Sequence, residues 1–90
     1  MESKRLMEIL EDAGCGRVRS YSGRGMYGDK CVAFEVEAEE AILGVVADIM
    51  AEVEVGEQLE VARLFHNART DSMGLGAIVY FPRMKWEGDE

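Results

Sequence analysis

The sequence predicts a single α+β domain over residues 1–90, with a small three-stranded antiparallel sheet and helices packed on one of its faces. Three segments repeat apolar residues at helical spacing, two alternate at strand spacing, and one forms a continuous apolar run. In chain order the elements are α-β-β-α-α-β, and 90 residues can bury one modest core.

A helix and two strands are predicted for the first part of the chain. Residues 3–13 carry an apolar stripe at helical spacing and end before a glycine, which commonly closes helices. Residues 15–20 alternate weakly, whereas residues 31–37 alternate clearly between apolar and other side chains. The apolar side of this second strand consists of Val32, Phe34 and Val36.

Two helices and a final strand follow. Residues 39–52 and 57–69 show helical periodicity, and the first of these helices begins with two glutamates that favour its first turn. Residues 70–76 are typical of a turn, and residues 77–81 of a strand that Pro82 stops. The core expected from this pattern comprises Ile42, Val45, Val46, Ile49, Phe65, Val79 and Phe81.

Composition and charge limit the classes of partner. Hydrophobic residues make up 48% of the chain, as in globular proteins, and the net charge is −8. This charge disfavours direct binding to nucleic acid or to an anionic membrane. No apolar run approaches the roughly 20 residues of a membrane span, and no apolar signal core follows the N-terminus. We therefore expect a cytoplasmic protein without membrane attachment.

The charges are unevenly distributed. Residues 35–60 contain nine acidic residues and neither lysine nor arginine, while basic residues lie on both sides of this block. Such polarity suits docking on a charged partner, and Glu39, Glu40 and Glu52 are the candidates for an acidic docking surface. A solvated helical face explains the same block nearly as well.

Metal binding and catalysis find little support in the sequence. Cys15 and Cys31 are typical of two small buried thiols, although a disulfide between them stays open. His66 is the only histidine, and no zinc-binding spacing occurs. A nucleophile with an adjacent base is not evident either. We expect no enzyme activity, no metal and no cofactor.

Residues 17–30 form the most distinctive segment, because they combine three glycines, three arginines and two tyrosines between two strands. Glycine allows close approach of a ligand to the backbone, and arginine pairs with phosphate or carboxylate. The segment is neither a phosphate loop nor a dinucleotide fingerprint. The candidate binding residues are Arg19, Tyr21, Ser22, Arg24 and Tyr27. A long hairpin whose tyrosines only pack on the sheet is the alternative.

A second polar segment lies between the third helix and the last strand. Its candidate ligand- or partner-binding residues are Arg69, Thr70, Asp71 and Ser72. Polar residues at the end of a helix also form ordinary turns, which is the simpler interpretation. The two segments indicate binding more strongly together than separately, provided that the fold brings them close.

Two strings carry a resemblance to a known group of proteins. They are RSYSGRGMYG over 19–28, followed by Cys31, and RTDSMGLG over 69–76, followed by VYFP over 79–82. Most of the chain after Gly14 resembles small uncharacterised proteins encoded by tailed phages and prophages. The resemblance implies a phage accessory protein that acts in host takeover or counter-defence, for example as an anti-CRISPR protein, in the cytoplasm of the host.

The function expected from these observations is binding. The leading hypothesis is a counter-defence factor that docks on a host protein or nucleoprotein complex, where an acidic surface complements a basic nucleic-acid channel. The alternative is a small-molecule binder that sequesters an anionic, nucleotide-type ligand through the glycine-rich hairpin. The sequence leaves open whether the protein is a monomer or a homodimer.

Overall fold

The structure, a computed structural model, describes residues 1–15, 17–23 and 28–88 and confirms the α+β class. Its elements are α1 (Ser3–Asp12), β1 (Arg19–Tyr21), β2 (Cys31–Val36), α2 (Ala41–Glu52), α3 (Val55–Asn67), β3 (Arg69–Met73) and β4 (Gly76–Lys85). The four strands form one antiparallel sheet in the order β1-β2-β4-β3, so that β1 and β3 are its edges. Within the described ranges, no helix is long and apolar enough to cross a membrane.

The predicted three-stranded sheet and its element order are wrong, because residues 69–73 form a fourth strand. Four of the five residues of β3 are exposed, and an edge strand accommodates such polar side chains at the surface. The turn itself contains only Gly74 and Leu75, between the paired residues Met73 and Gly76. Gly74 has φ +64°, the sign that the first position of a type II′ turn requires.

Pro82 does not stop the last strand, which continues to Lys85. β4 pairs with β2 at Tyr80 and Ala33, and the next pair is Lys85 with Cys31. Between these two pairs β2 contributes one residue and β4 contributes four. Because the ladder is irregular there, the missing N–H of Pro82 removes no regular hydrogen bond.

The main core lies between one face of the sheet and all three helices. Its buried members are Leu6, Ile9, Leu10, Val32, Phe34, Ile49, Val53, Val61, Val79, Phe81 and Met84. The rings of Phe34, Phe65 and Phe81 lie 5.3–6.3 Å apart, centroid to centroid, in tilted or edge-to-face arrangements. These arrangements are favourable for aromatic pairs, so the three rings tie α3 to β2 and β4.

Most of the predicted core residues take part in this core. Ile49, Val79 and Phe81 are buried in it, and Ile42, Val45 and Phe65 pack against it while partly buried. The exception is Val46, which is half-buried and is not among the residues that contact the core. The start of α2 also differs from the prediction, because the helix begins at Ala41, after the two glutamates.

The other face of the sheet, which we call the helix-free face, has a small buried cluster of its own. The cluster consists of Cys31, Ala33, Ile78 and Tyr80, with Tyr21 packed against it. Gly23 is buried next to Tyr80, and a Cβ atom at this position would collide with the tyrosine ring. The chain after β1 therefore approaches the sheet so closely that glycine is needed there.

Candidate functional site

A hydrogen bond joins the two edges of the sheet across the helix-free face. The hydroxyl of Tyr21 in β1 donates to Oδ2 of Asp71 in β3. The Tyr21 ring packs on Tyr80, with the ring centroids 5.1 Å apart. Two strands lie between β1 and β3, and neighbouring strands are about 4.8 Å apart. Tyr21 thus reaches over both central strands, and we call this contact the Tyr21–Asp71 bridge.

The bridge keeps Tyr21 protonated. The hydrogen bond to Asp71 raises the pKa of Tyr21 above its ordinary value, and burial and the negative charge of Asp71 act in the same direction. Arg19 opposes this effect, since its Cζ atom lies 5.8 Å from the centre of the Tyr21 ring. At neutral pH the phenol is therefore a hydrogen-bond donor in a fixed orientation.

A surface cavity of about 650 Å³ lies beside the bridge, between residues of β1 and residues of β3. It joins the two polar segments that the sequence singled out, although Tyr21 and Asp71 are 50 positions apart in the chain. The predicted binding residues that line this edge cavity are Arg19, Tyr21, Ser22, Thr70, Asp71 and Ser72. The condition that the two segments lie close together is therefore met.

The arginine of the edge cavity is already paired. Arg19 Nη1 lies 3.0 Å from Glu35 Oε1, and Arg17 Nη1 lies 3.6 Å from Glu35 Oε2. The carboxylate of Glu35, about one quarter exposed, thus serves two arginines. With Asp71 in the same cavity, the net positive charge available to an anionic ligand is small.

The remaining predicted residues of the two segments have different positions. Arg69 is exposed, and it lies on the same face of β3 as Asp71 because side chains alternate along a strand. It is not among the residues that line the edge cavity. Arg24 and Tyr27 lie outside the described residues.

The predicted acidic docking surface is assembled only in part. Glu39 and Glu40 precede α2, and Glu52 is the last residue of that helix. Twelve residues of helix separate the acidic pair from Glu52 by about 18 Å. Glu39 is fixed toward β3, since Ser72 Oγ donates a hydrogen bond of 2.7 Å to Glu39 Oε1. The two ends of α2 are therefore separate acidic regions.

A second cavity, of about 520 Å³, lies between the segment before α2 and the β3–β4 turn. Its lining includes Glu37, Glu39, Glu40 and Leu75, and it shares Ser72 with the edge cavity. Leu75 is 92% exposed at the tip of the turn. Met73, two residues earlier, is 57% exposed and lines the edge cavity. We call the set of Glu37, Glu39, Glu40 and Leu75 the acidic hairpin surface.

The two neighbouring cavities complete the geometry of the candidate site. No protein-family model, curated protein or solved structure matches the chain.

Glu37, Met73 and Leu75 are the members of the site that sequence reasoning missed. A leucine between two glycines in a tight turn was the available signal, because turn tips are commonly polar.

The thiols have no arrangement that would activate them. Cys15 packs against the main core, whereas Cys31 belongs to the cluster of the helix-free face, and the two do not form a disulfide. Burial, together with the nearby carboxylates of Asp48 and Glu52, raises the pKa of Cys15 to about 11. Burial also raises the pKa of Cys31. Both thiols are thus protonated at neutral pH and are weak nucleophiles. Among the described residues, no group of three metal-ligating side chains occurs.

Proposed function

We propose that this chain is a non-enzymatic binding protein that docks on a basic surface of a host protein or nucleoprotein complex. The observation that carries the proposal is the acidic hairpin surface. An almost fully exposed leucine stands on a two-residue turn, next to three carboxylates from the segment before α2. An exposed apolar anchor surrounded by charges of one sign is a common design of a recognition surface.

The chemistry of this surface defines the partner. Glu37, Glu39 and Glu40 attract lysine and arginine side chains, and complementary charge accelerates the encounter of two proteins. Leu75 supplies apolar area that is buried only when a partner covers it. The partner is therefore a protein with a basic patch around an apolar pocket, as at the margin of a nucleic-acid channel.

The biological setting is proposed from the two sequence strings. Their resemblance to proteins of tailed phages supports an accessory protein that acts in the host cytoplasm. The net charge of −8 supports counter-defence, because an acidic protein can occupy a basic site that normally binds nucleic acid. An anti-CRISPR-like inhibitor is one protein of this kind.

The experiment is partner capture from a host lysate, followed by binding kinetics with matched variants. In the first variant Glu37, Glu39 and Glu40 become glutamine, which retains an acceptor for Ser72; in the second, Leu75 becomes serine. We expect association to slow about tenfold in the first, and dissociation to accelerate about tenfold in the second. The control changes Asp48, Glu52 and Glu54 to their amides, with the same loss of charge elsewhere. Equal association rates for the two triple variants would reject the acidic hairpin surface as the surface that binds the partner.

The edge cavity favours a second candidate function, the capture of a small anionic ligand. Its lining combines the guanidinium of Arg19 with the hydroxyls of Ser22, Thr70 and Ser72. The pairing of Arg19 with Glu35 and the presence of Asp71 make this candidate the weaker one. A panel of nucleotides separates the two: a ligand at 100 times its dissociation constant stabilises the protein by about 2.7 kcal/mol. No rise in Tm across the panel would reject a nucleotide ligand and leave the docking function in place.

A further inference from the structure

Among the residues that the structure describes, no backbone group pairs with the outer edge of β3. β3 is the last strand in the sheet order, and β4 is its one neighbour. Met73 and Gly76 close a two-residue turn, and such a closing pair exchanges its backbone hydrogen bonds. Because hydrogen-bonded and non-hydrogen-bonded pairs alternate, the backbone groups of Thr70 and Ser72 point away from β4.

This edge lacks proline and bulges, two features that usually prevent pairing between sheets. β3 contains no proline, and its register with β4 is continuous from Arg69 to Met73. Charged side chains also protect edge strands, and charges of the same sign repel each other when they lie directly opposite. The two charged residues of β3, Arg69 and Asp71, have opposite signs and lie on the same face of the strand.

We propose that two copies of this chain form a homodimer by antiparallel pairing of their β3 edges, centred on Thr70. In this register Thr70 faces Thr70 of the second copy, and the two exchange backbone hydrogen bonds. Arg69 of each copy then lies directly opposite Asp71 of the other. Threonine pairs and opposite charges are favourable cross-strand neighbours, so the side chains support the same register as the backbone.

The alternative registers are poorer. Pairing centred on Asp71 also uses the outward backbone groups, but it places the two Asp71 carboxylates face to face, which is unfavourable. Pairing centred on Ser72 sets Asp71 opposite Met73 and leaves both arginines without a carboxylate. Charge complementarity therefore selects the register centred on Thr70.

The side chains of Arg69 and Asp71 are available for the two Arg69–Asp71 pairs between the copies. Among the residues that the structure describes, no carboxylate lies within ion-pair distance of Arg69. Asp71 accepts the Tyr21 hydroxyl through Oδ2, and a carboxylate has capacity for several donors. The two-fold axis stands perpendicular to the sheet, so both helix-free faces lie on one side of an eight-stranded sheet, twice the four strands of one copy.

The dimer does not depend on the proposed docking function, because it uses neither the carboxylates before α2 nor Leu75. Its test is sedimentation equilibrium from about 10 µM to about 1 mM, the range expected of a small interface. We expect the wild type to approach twice the mass of one chain. A monomer at every concentration would overturn the proposal.

A charge swap tests the register. In the proposed dimer, residue 69 of each copy faces residue 71 of the other. Arg69→Glu alone therefore sets two carboxylates face to face at both pairs, and Asp71→Lys alone sets two cations face to face at both pairs. Each variant should therefore dimerise at least about tenfold more weakly than the wild type. Mixed in equal amounts, the two variants face each other with opposite charges at both pairs and should form a heterodimer. Arg63→Glu on α3 is the control with the same change of charge. A dimer unaffected by Arg69→Glu, or weakened equally by Arg63→Glu, would overturn the register.

A backbone variant keeps the proposal testable if Asp71→Lys fails to fold. Thr70→Pro removes an outward N–H that β4 does not use, and edge strands tolerate proline there. We expect a folded monomer by circular dichroism and sedimentation, with Thr70→Val as the control that retains the N–H and the dimer. A folded Thr70→Pro variant that still dimerises like the wild type would show that this edge is not the interface.

Discussion

Truncating Ile49 to alanine measures how α2 is placed on the sheet. Ile49 is fully buried in the main core, so the change removes three carbon atoms from a site without solvent access. At about 0.8 kcal/mol per buried carbon, the transfer loss is about 2.4 kcal/mol. The cavity that remains increases the loss in unfolding free energy to about 3–4 kcal/mol. This is a large part of the roughly 5–15 kcal/mol that stabilises a small domain.

The matched control is Val46→Ala, one turn earlier on the same helix. Val46 is half-buried and does not contact the main core, so we expect a loss of about 1 kcal/mol or less. The assay is urea and thermal unfolding followed by circular dichroism. The expected fall in Tm is about 12–30 °C for Ile49→Ala and below about 8 °C for Val46→Ala. A loss for Val46→Ala that equals or exceeds that for Ile49→Ala would show that α2 is rotated on the sheet.

Two further predictions concern the helix-free face. Gly23→Ala should lower the unfolding free energy by about 1–3 kcal/mol, because the added Cβ collides with the Tyr80 ring. The control is Gly44→Ala on α2, where a Cβ has open space, and this variant should raise the unfolding free energy by about 0.5–1 kcal/mol. Equal melting curves for these two variants would contradict the packing at Gly23. Tyr21→Phe should lower the unfolding free energy at pH 7 by about 1 kcal/mol. Because the pKa of Tyr21 is raised on folding, its contribution is complete below the ordinary value of about 10 and is lost as pH rises through the higher folded value. Wild type and Tyr21→Phe should therefore converge in stability in alkaline urea titrations, and a constant difference would contradict the Tyr21–Asp71 bridge.

Local patterns in the sequence predict those elements that bury a regular apolar face. β2 alternates over Val32 and Phe34, and α2 repeats apolar residues at helical spacing, so the sequence predicts both within two residues of their observed bounds. β3 has no such pattern, because an edge strand with exposed side chains needs no alternation of apolar residues. Its pairing with β4 is a tertiary property that a local pattern does not contain.

The candidate site shows the same division. Arg19, Tyr21, Thr70 and Asp71 were recognisable as unusual polar residues in two separate segments. That they line one cavity follows from the sheet order, which puts the two segments on opposite edges of one face. The acidic residues were visible too, but the length of α2 divides them into two regions. Distance in three dimensions, and not residue type, was the missing information.

The irregular pairing around Pro82 changes the phase of β4, that is, which of its alternating side chains lie on the helix-free face. Before it, Ile78 and Tyr80 belong to the cluster of the helix-free face, whereas after it Lys85 pairs with Cys31 of that same face. Before the irregularity the even-numbered residues of β4 lie on the helix-free face, and after it the odd-numbered residues do. The even-numbered Met84 therefore lies in the main core. An insertion or deletion of two residues in this stretch preserves the phase, whereas a change of one residue reverses it.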